Sequence, residues 1–299
     1  METILITGGT GLIGKRLTQI LEKKGYSVRI LSSRHSTNKS SFYWNIDTQE
    51  IEEGCLTSID HIIHLAGANI GEKRWTKKQR QLLIDSRVRS TSLLFNTIKN
   101  QSHKPLTFVS ASAIGIYGAV TVDHIFNETD NAASDFLGSV GLKWEESAQA
   151  FEELGIRVVK IRTGIVLSPQ GGVLAKMIKP ISLYAGAIIG NGRQYFPWIH
   201  IDDLCEIYCK AIQDSSMVGA FNAVAPQHIN NKDFTIQLCR KLKKPLLLPA
   251  IPAIVFKIAW GEMSQLILKG SRISSQKIID SGFTFSFPTI ESAFHDIIT

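Results

Sequence analysis

The sequence predicts an α/β protein, a doubly wound parallel sheet with helices on both faces and a small, mostly helical C-terminal lobe. Three observations carry this. Short apolar strands alternate with amphipathic helices through the first half of the chain. A glycine-rich turn follows the first strand and opens the first helix. After about residue 165 the alternation loosens into a loop-rich stretch, then into helical segments broken by Pro and Gly.

The elements follow in order. Ile4-Leu5-Ile6 is apolar without interruption, the pattern of a strand buried on both faces. A helix carries Leu17, Ile20 and Leu21 on one face and stops at Gly25 after Lys23 and Lys24. Val28 to Leu31 forms the second strand, and Ile59 to Leu65 another, ending in Ala66-Gly67. Gln79 to Lys99 is a long amphipathic helix, Leu106 to Ser110 a strand. Val140, Trp144, Ala148 and Phe151 mark a helix closed by Gly155, and Arg157 to Ile161 is a strand again. Asp202 to Ile212 and Asn231 to Leu242 are helices, and the last fifty residues are mostly helical. We divide the chain into a nucleotide-binding domain, residues 1–230, with substrate-side loops at about 168–196, and a C-terminal substrate lobe, residues 231–299.

Ligands of such sheets sit beyond the carboxyl ends of the strands. There Thr7-Gly8-Gly9-Thr10-Gly11-Leu12-Ile13-Gly14 fits Gly-x-x-Gly-x-x-Gly with Gly8, Gly11 and Gly14, or Gly-x-Gly-x-x-Gly starting from Gly9. Following a buried strand and opening a helix, it reads as the phosphate cradle of a Rossmann-type fold. Gly8 permits the turn, Gly11 lets backbone approach a diphosphate, and Gly14 lets the helix pack closely. The cradle residues Gly8, Thr10, Gly11, Leu12, Ile13 and Gly14 present amides at the positive end of a helix. A Walker A loop is excluded, because no Gly-Lys-Ser/Thr is present.

In NAD-selective folds a carboxylate ~20 residues past the cradle binds the ribose hydroxyl. Here the second strand ends in Leu31-Ser32-Ser33-Arg34-His35, with no carboxylate. Arg34, helped by Ser33, points to the 2′-phosphate of NADP(H), with a preference of roughly ten- to hundredfold from one charge-assisted bond.

The totals bound the rest. The chain has 299 residues, 44% hydrophobic and 20% charged, with a net charge of +7. The densest basic runs, Lys73, Arg74, Lys77, Lys78, Arg80 and Arg240, Lys241, Lys243, Lys244, accompany no nucleic-acid motif and read as solvated faces. The four cysteines have no CxxC spacing, Cys205 and Cys209 falling one helical turn apart. His61 and His64 point to opposite faces of one strand, so no metal site is expected. The apolar tract Leu246 to Trp260 is broken by Pro249 and Pro252 and is shorter than the ~20 residues of a membrane span. With the first strand beginning at Thr3, no signal peptide is expected and the reading is cytoplasmic.

Further segments combine with the cradle: His64-Leu65-Ala66-Gly67-Ala68-Asn69-Ile70, Arg74-Trp75-Thr76, Ser86-Arg87-Val88, Ser110 to Gly118, Arg162 to Leu167, Pro197 to Asp203 and Asn222 to Pro226. On these the chain resembles the extended short-chain dehydrogenase/reductases, and within them the atypical epimerase family, of NAD(P)-dependent epimerase/dehydratase type with a small C-terminal domain of unknown function. The stretch from Gly261-Glu262 to Phe287-Pro288 is similar to that C-terminal domain. The resemblance implies that Leu65 and Ala66 pass beneath the adenosine, that Arg87 reaches the phosphate or ribose region, and that Val166 lies near the nicotinamide.

The chemistry of typical superfamily members uses a Tyr-x-x-x-Lys pair with a Ser or Thr, the lysine lowering the tyrosine pKa. None of the six tyrosines here has a lysine four places on. Alignment on Glu145 puts Leu137 and Gly141 at the Tyr and Lys positions, with Lys143 out of register by two. Ser112, at roughly the Ser/Thr position, and Tyr117, on the substrate side by analogy, are the catalytic candidates, with Ser110 as an alternative. His200 reads as an internal hydrogen-bonded histidine. Two functions stay open, an NADP(H)-dependent oxidoreductase or epimerase with an unconventional proton donor and a non-catalytic NADP(H) redox sensor, ahead of a third and weaker one, a nucleic-acid binder driven by the net charge. The expected partner is a small-molecule substrate whose identity the sequence does not give. No nucleic acid and no membrane are expected, and homodimerisation is left open.

Overall fold

The computed structural model describes residues 1–38 and 40–298. The elements run β1 (Thr3–Thr7), α1 (Leu12–Lys23), β2 (Ser27–Ser32), β3 (Ser41–Asn45), β4 (Glu50–Ile51), β5 (His61–His64), α2 (Lys77–Lys99), β6 (Thr107–Ala113), β7 (Ile125–Phe126), α3 (Phe136–Gln149), β8 (Arg157–Thr163), β9 (Ile165–Ser168), α4 (Gly172–Ser182), β10 (Trp198–His200), α5 (Ile201–Gln213), β11 (Gly219–Ala223), α6 (Asn231–Lys241), α7 (Ala253–Trp260), α8 (Gln265–Leu268), β12 (Arg272–Ile273), α9 (Gln276–Asp280) and α10 (Ile290–Ile297).

One eight-stranded sheet has the order β11-β8-β6-β5-β1-β2-β3-β4. Every neighbouring pair is parallel except β3 with β4. The carboxyl ends of β1, β2, β5, β6, β8 and β11 therefore share one edge. The central strands owe their place to composition: all four residues of β5 are buried, and so are Ile4, Leu5 and Ile6 of β1. On one face Leu17 and Leu21 of α1 pack with Leu204, Ile207 and Tyr208 of α5. On the other, Leu93, Leu94 and Ile98 of α2 pack with Ala148, with Phe108 and Phe151 stacked 3.8 Å apart.

Caps set the helix limits. Thr76 accepts from Gln79 N at the start of α2, and Asp135 from Gly138 N at the start of α3. Gly25, at φ 87°, closes α1 in the left-handed conformation that glycine adopts freely.

Two features depart from the sequence reading. The stretch read as loops after residue 165 contains β9, α4 and β10, and β9 pairs with β10. Leu174 and Ile181 of α4 are buried around Trp198 with Phe234 of α6 and Phe294 of α10. The glycines there sit at the helix start and in turns, and a short amphipathic pattern between them is easily masked. The other departure is β3 and β4, whose Phe42 and Trp44 pack on the face of α2. The C-terminal stretch is mostly short helices, as read, and it reaches into the main core, where Ile278 and Phe285 are buried with Phe221.

Candidate functional site

The cradle is the turn between β1 and α1. Gly8 has φ 70°, and a Cβ there would lie 3.1 Å from backbone atoms of Leu65 and Ala66, at the end of β5. A Cβ at Gly14 would lie 2.5 Å from the Gly8 carbonyl oxygen and from Gly9 Cα. Only glycine at 14 lets α1 close onto the turn. At exposed Gly11 the nearest atom to an added Cβ is the Gly8 oxygen at 3.2 Å, so the fold itself asks little there. The missing side chain clears the outer approach.

Gly11 is also the N-cap of α1, with no capping side chain and no acidic residue in the first turn. Lys15 N donates to Gly11 O at 3.0 Å as the first helical bond. The amides of Leu12, Ile13 and Gly14 thus have no acceptor within the helix, beside exposed Thr10. These bare amides and the helix dipole fit a diphosphate. At the end of β2, Ser33 and Arg34 are exposed. Among the described residues no carboxylate pairs with Arg34; its own amide donates to Ser32 Oγ at 3.1 Å.

Leu65 and Ala66 leave β5 alongside the cradle, Leu65 N donating to Thr7 O and Ala66 N to Thr7 Oγ1. Thr7 Oγ1 also lies 2.7 Å from His64 Nδ1, and the other ring nitrogen faces Ser90 and Thr91 at 3.2 Å. Complete burial, with Arg87 nearby, holds the His64 pKa down to about 3, so the ring is neutral. Arg87 is itself buried. Its guanidinium lies 4.6 Å from the Trp144 ring and donates to Leu83 O and Ala68 O. Burial lowers its pKa to about 10. Its charge thus lies under the Gly67-Ala68 turn, with two of its donors committed to backbone. Val166, in β9, is half-buried against the core under α1.

At the Tyr and Lys positions the space is closed. Leu137 is buried with Leu83, Trp75 and Met263. A Cβ at Gly141 would meet Ile116 Cβ at 2.8 Å. Lys143 is exposed.

The two catalytic candidates have other partners. Ser112, Arg162 and Asn222 stand side by side across β6, β8 and β11. Ser112 Oγ donates to Glu145 Oε1 at 2.7 Å, and Arg162 makes a two-pronged pair with the same carboxylate at 2.8 and 2.9 Å. Arg162 also donates to the Tyr117 hydroxyl, which donates to Asn222 Oδ1 at 2.7 Å. Asn222 Nδ2 donates to Ser274 O, and Asn222 N to Glu128 Oε1. Burial pushes the Tyr117 pKa up to about 12 despite Arg162. Burial also opposes the charge on Arg162, but Glu145 outweighs it and raises its pKa. A phenol held in this way is a poor proton donor near neutral pH. In this arrangement the Ser112 and Tyr117 hydroxyls both serve a buried ion pair. Ser110 Oγ donates to the neighbouring Ala111 O at 2.9 Å.

Arg162 and Asn222 had no role in the sequence reading, although their segments were quoted, and Glu145 served there only to set the alignment. Strand register and a contact across 17 residues create the cluster. His200 is internal, as read: it caps α5 by accepting from Asp202 N at 3.1 Å and packs on Phe287. Asp202 holds Arg16 of α1 at 2.6 and 2.8 Å, tying α1 to α5. All four cysteines are free and buried. Among the described residues no cluster of three His, Cys, Asp or Glu could hold a metal.

Comparison with known proteins agrees with this architecture. The sequence profile of the NAD dependent epimerase/dehydratase family matches residues 4–224, and that of a domain of unknown function matches residues 251–297. An epimerase family protein of Bacillus subtilis is 38% identical over 304 residues, covering 99% of this chain and 97% of its own. The crystal structure of a human epimerase family protein with NADPH is 29% identical and superposes with a TM-score of 0.89 over 99% of this chain and 98% of that one. A structure described as a nucleoside-diphosphate sugar epimerase from Corynebacterium glutamicum is 30% identical with a TM-score of 0.81, over 99% of this chain and 58% of its own. With a cradle, a sheet order and a sequence match over most of its length in agreement, the chain belongs to the NAD-dependent epimerase/dehydratase family.

Proposed function

We propose that the protein is an NADP(H)-dependent oxidoreductase or epimerase acting on a small molecule. The observation that carries this is the guanidinium of Arg34 at the end of β2, with no carboxylate partner among the described residues, beside an uncapped helix start. The NADPH named with the human structure supports the same choice.

The cradle from Gly8 to Gly14 would hold the diphosphate, with amides from Thr10, Leu12 and Ile13. Ser33 and Arg34 would hold the 2′-phosphate, Leu65 and Ala66 would floor the adenosine, and Val166 would back the nicotinamide. Bound there, the cofactor supplies hydride chemistry. Arg87 supports the turn at Gly67-Ala68 from below. Ser112 and Tyr117 act as positioning residues, fixing the ends of β6, β8 and β11 through Glu145, Arg162 and Asn222. Residues 168–196, which include α4, and residues 231–299 shape the substrate side.

Dissociation constants test the cofactor assignment. NADPH should bind about tenfold or more tighter than NADH, and Arg34→Ala should remove the difference. Equal affinities in the unaltered protein would overturn the assignment. The closed packing at Leu137 and Gly141 favours a second reading, a protein that binds NADP(H) without turnover. NADPH oxidation against a panel of carbonyl compounds and nucleotide sugars separates the two, since a sensor binds tightly and consumes none.

A further inference from the structure

The two densest basic runs take no part in the cofactor site. Lys73, Arg74, Lys77, Lys78 and Arg80 lead into and begin α2, and Arg240, Lys241, Lys243 and Lys244 end α6. Between them the structure sets an exposed apolar helix. Phe256 is the one buried residue of α7, while Ile254, Val255, Ile258 and Trp260 are 58, 49, 72 and 41% exposed. Leu247 and Leu248, just before it, are 70 and 47% exposed. Apart from exposed Lys257, α7 is apolar all round; such a helix ordinarily lies buried, and an exposed patch of this kind marks an interaction surface.

A contact joins the first basic run to this helix, and the second run directly precedes the segment that leads into it. Arg74 donates to Ile258 O. Ile251 bridges to Ile189, and Lys244 lies 4.1 Å from the ring of half-exposed Tyr184, beside exposed Leu183. From Phe234 to Gly261 the chain has no carboxylate. Glu72 is the single carboxylate between Asn69 and Arg80, and Glu262 is paired with Arg80.

We propose that α7 and the segment leading into it form a peripheral docking surface for an anionic lipid bilayer. Aliphatic tips enter the acyl boundary, Trp260 lies at headgroup depth, and the flanking lysines and arginines meet the acidic headgroups. A second copy of the chain fits poorly, because a two-fold interface would bring the same cations face to face. Nucleic acid fits poorly too, because the exposed side chains are mostly aliphatic and single-strand binding relies on aromatic stacking. Among the described residues no helix is long and apolar enough to cross a membrane, so the contact is at the surface. The proposal departs from the expectation of no membrane partner, which rested on the lack of a spanning segment.

The test is flotation of the full chain with phosphatidylcholine vesicles, with and without phosphatidylglycerol. Binding should require the anionic lipid and weaken as salt rises. Ile254→Glu/Ile258→Glu and Lys243→Glu/Lys257→Glu should each weaken it about tenfold or more. Thermal midpoint and NADPH affinity should stay unchanged in both, which separates this proposal from the cofactor assignment. The proposal is overturned by no binding to anionic vesicles, by equal binding to neutral ones, or by a dimer in light scattering that Ile258→Glu dissociates. Duplex DNA binding as tight as vesicle binding, and insensitive to Ile258→Glu, overturns it as well.

Discussion

At the residue scale, single atoms decide most of the site. A methyl group at Gly14 would sit 2.5 Å from the Gly8 oxygen, so Gly14→Ala must push α1 off the turn. Overpacking of this kind costs about 1–3 kcal/mol. Thermal unfolding should show a clear drop, and titration should show lost NADPH binding. Tyr117→Phe removes a hydroxyl that satisfies both Arg162 and Asn222. Leaving buried groups unpaired costs about 1–3 kcal/mol. A positioning role predicts a lower unfolding midpoint with cofactor affinity kept. A proton-transfer role predicts the reverse, an unchanged midpoint with turnover abolished. Glu145→Gln should be harsher, about 3–5 kcal/mol, because it strands a buried guanidinium.

At the element scale, the end of β5 couples stability to pH. His64 is neutral with a pKa near 3, below the ordinary value of 6.5. The unfolded chain therefore binds the extra proton first, and the stabilisation present above pH 6.5 fades as pH falls toward 3. Between pH 7 and 5 the loss amounts to about 2 kcal/mol. Urea midpoints should fall over that interval, and His64→Gln should flatten the profile. His200, whose pKa burial also lowers, acts in the same direction. Elements with a strong local signal were legible in the sequence. The cradle, the buried strands β1 and β5, and α2 each announce themselves through apolar runs, glycines or caps. What stayed hidden was pairing. Nothing in Arg162 or Asn222 alone says that β8 and β11 set them beside Ser112. Likewise α4 lay unseen, because its buried residues answer to Trp198 and Phe234, far along the chain.

At the scale of the whole molecule, the last fifty residues are part of the core. Ile278 and Phe285 pack with Phe221, and Ser274 O accepts from Asn222. A chain ending at residue 250 should lose its near-ultraviolet circular dichroism and aggregate, whereas an independent lobe would leave a folded remainder. Cofactor should act on the intact molecule as a unit: NADPH at a hundred times its dissociation constant should raise stability by about 2.7 kcal/mol. The filled space beside Gly141 limits redesign. Leu137→Tyr with Gly141→Lys would copy the superfamily dyad on paper, yet the new ammonium stem would run into the Ile116 side chain. Grafting that chemistry therefore takes at least three changes, the third trimming Ile116.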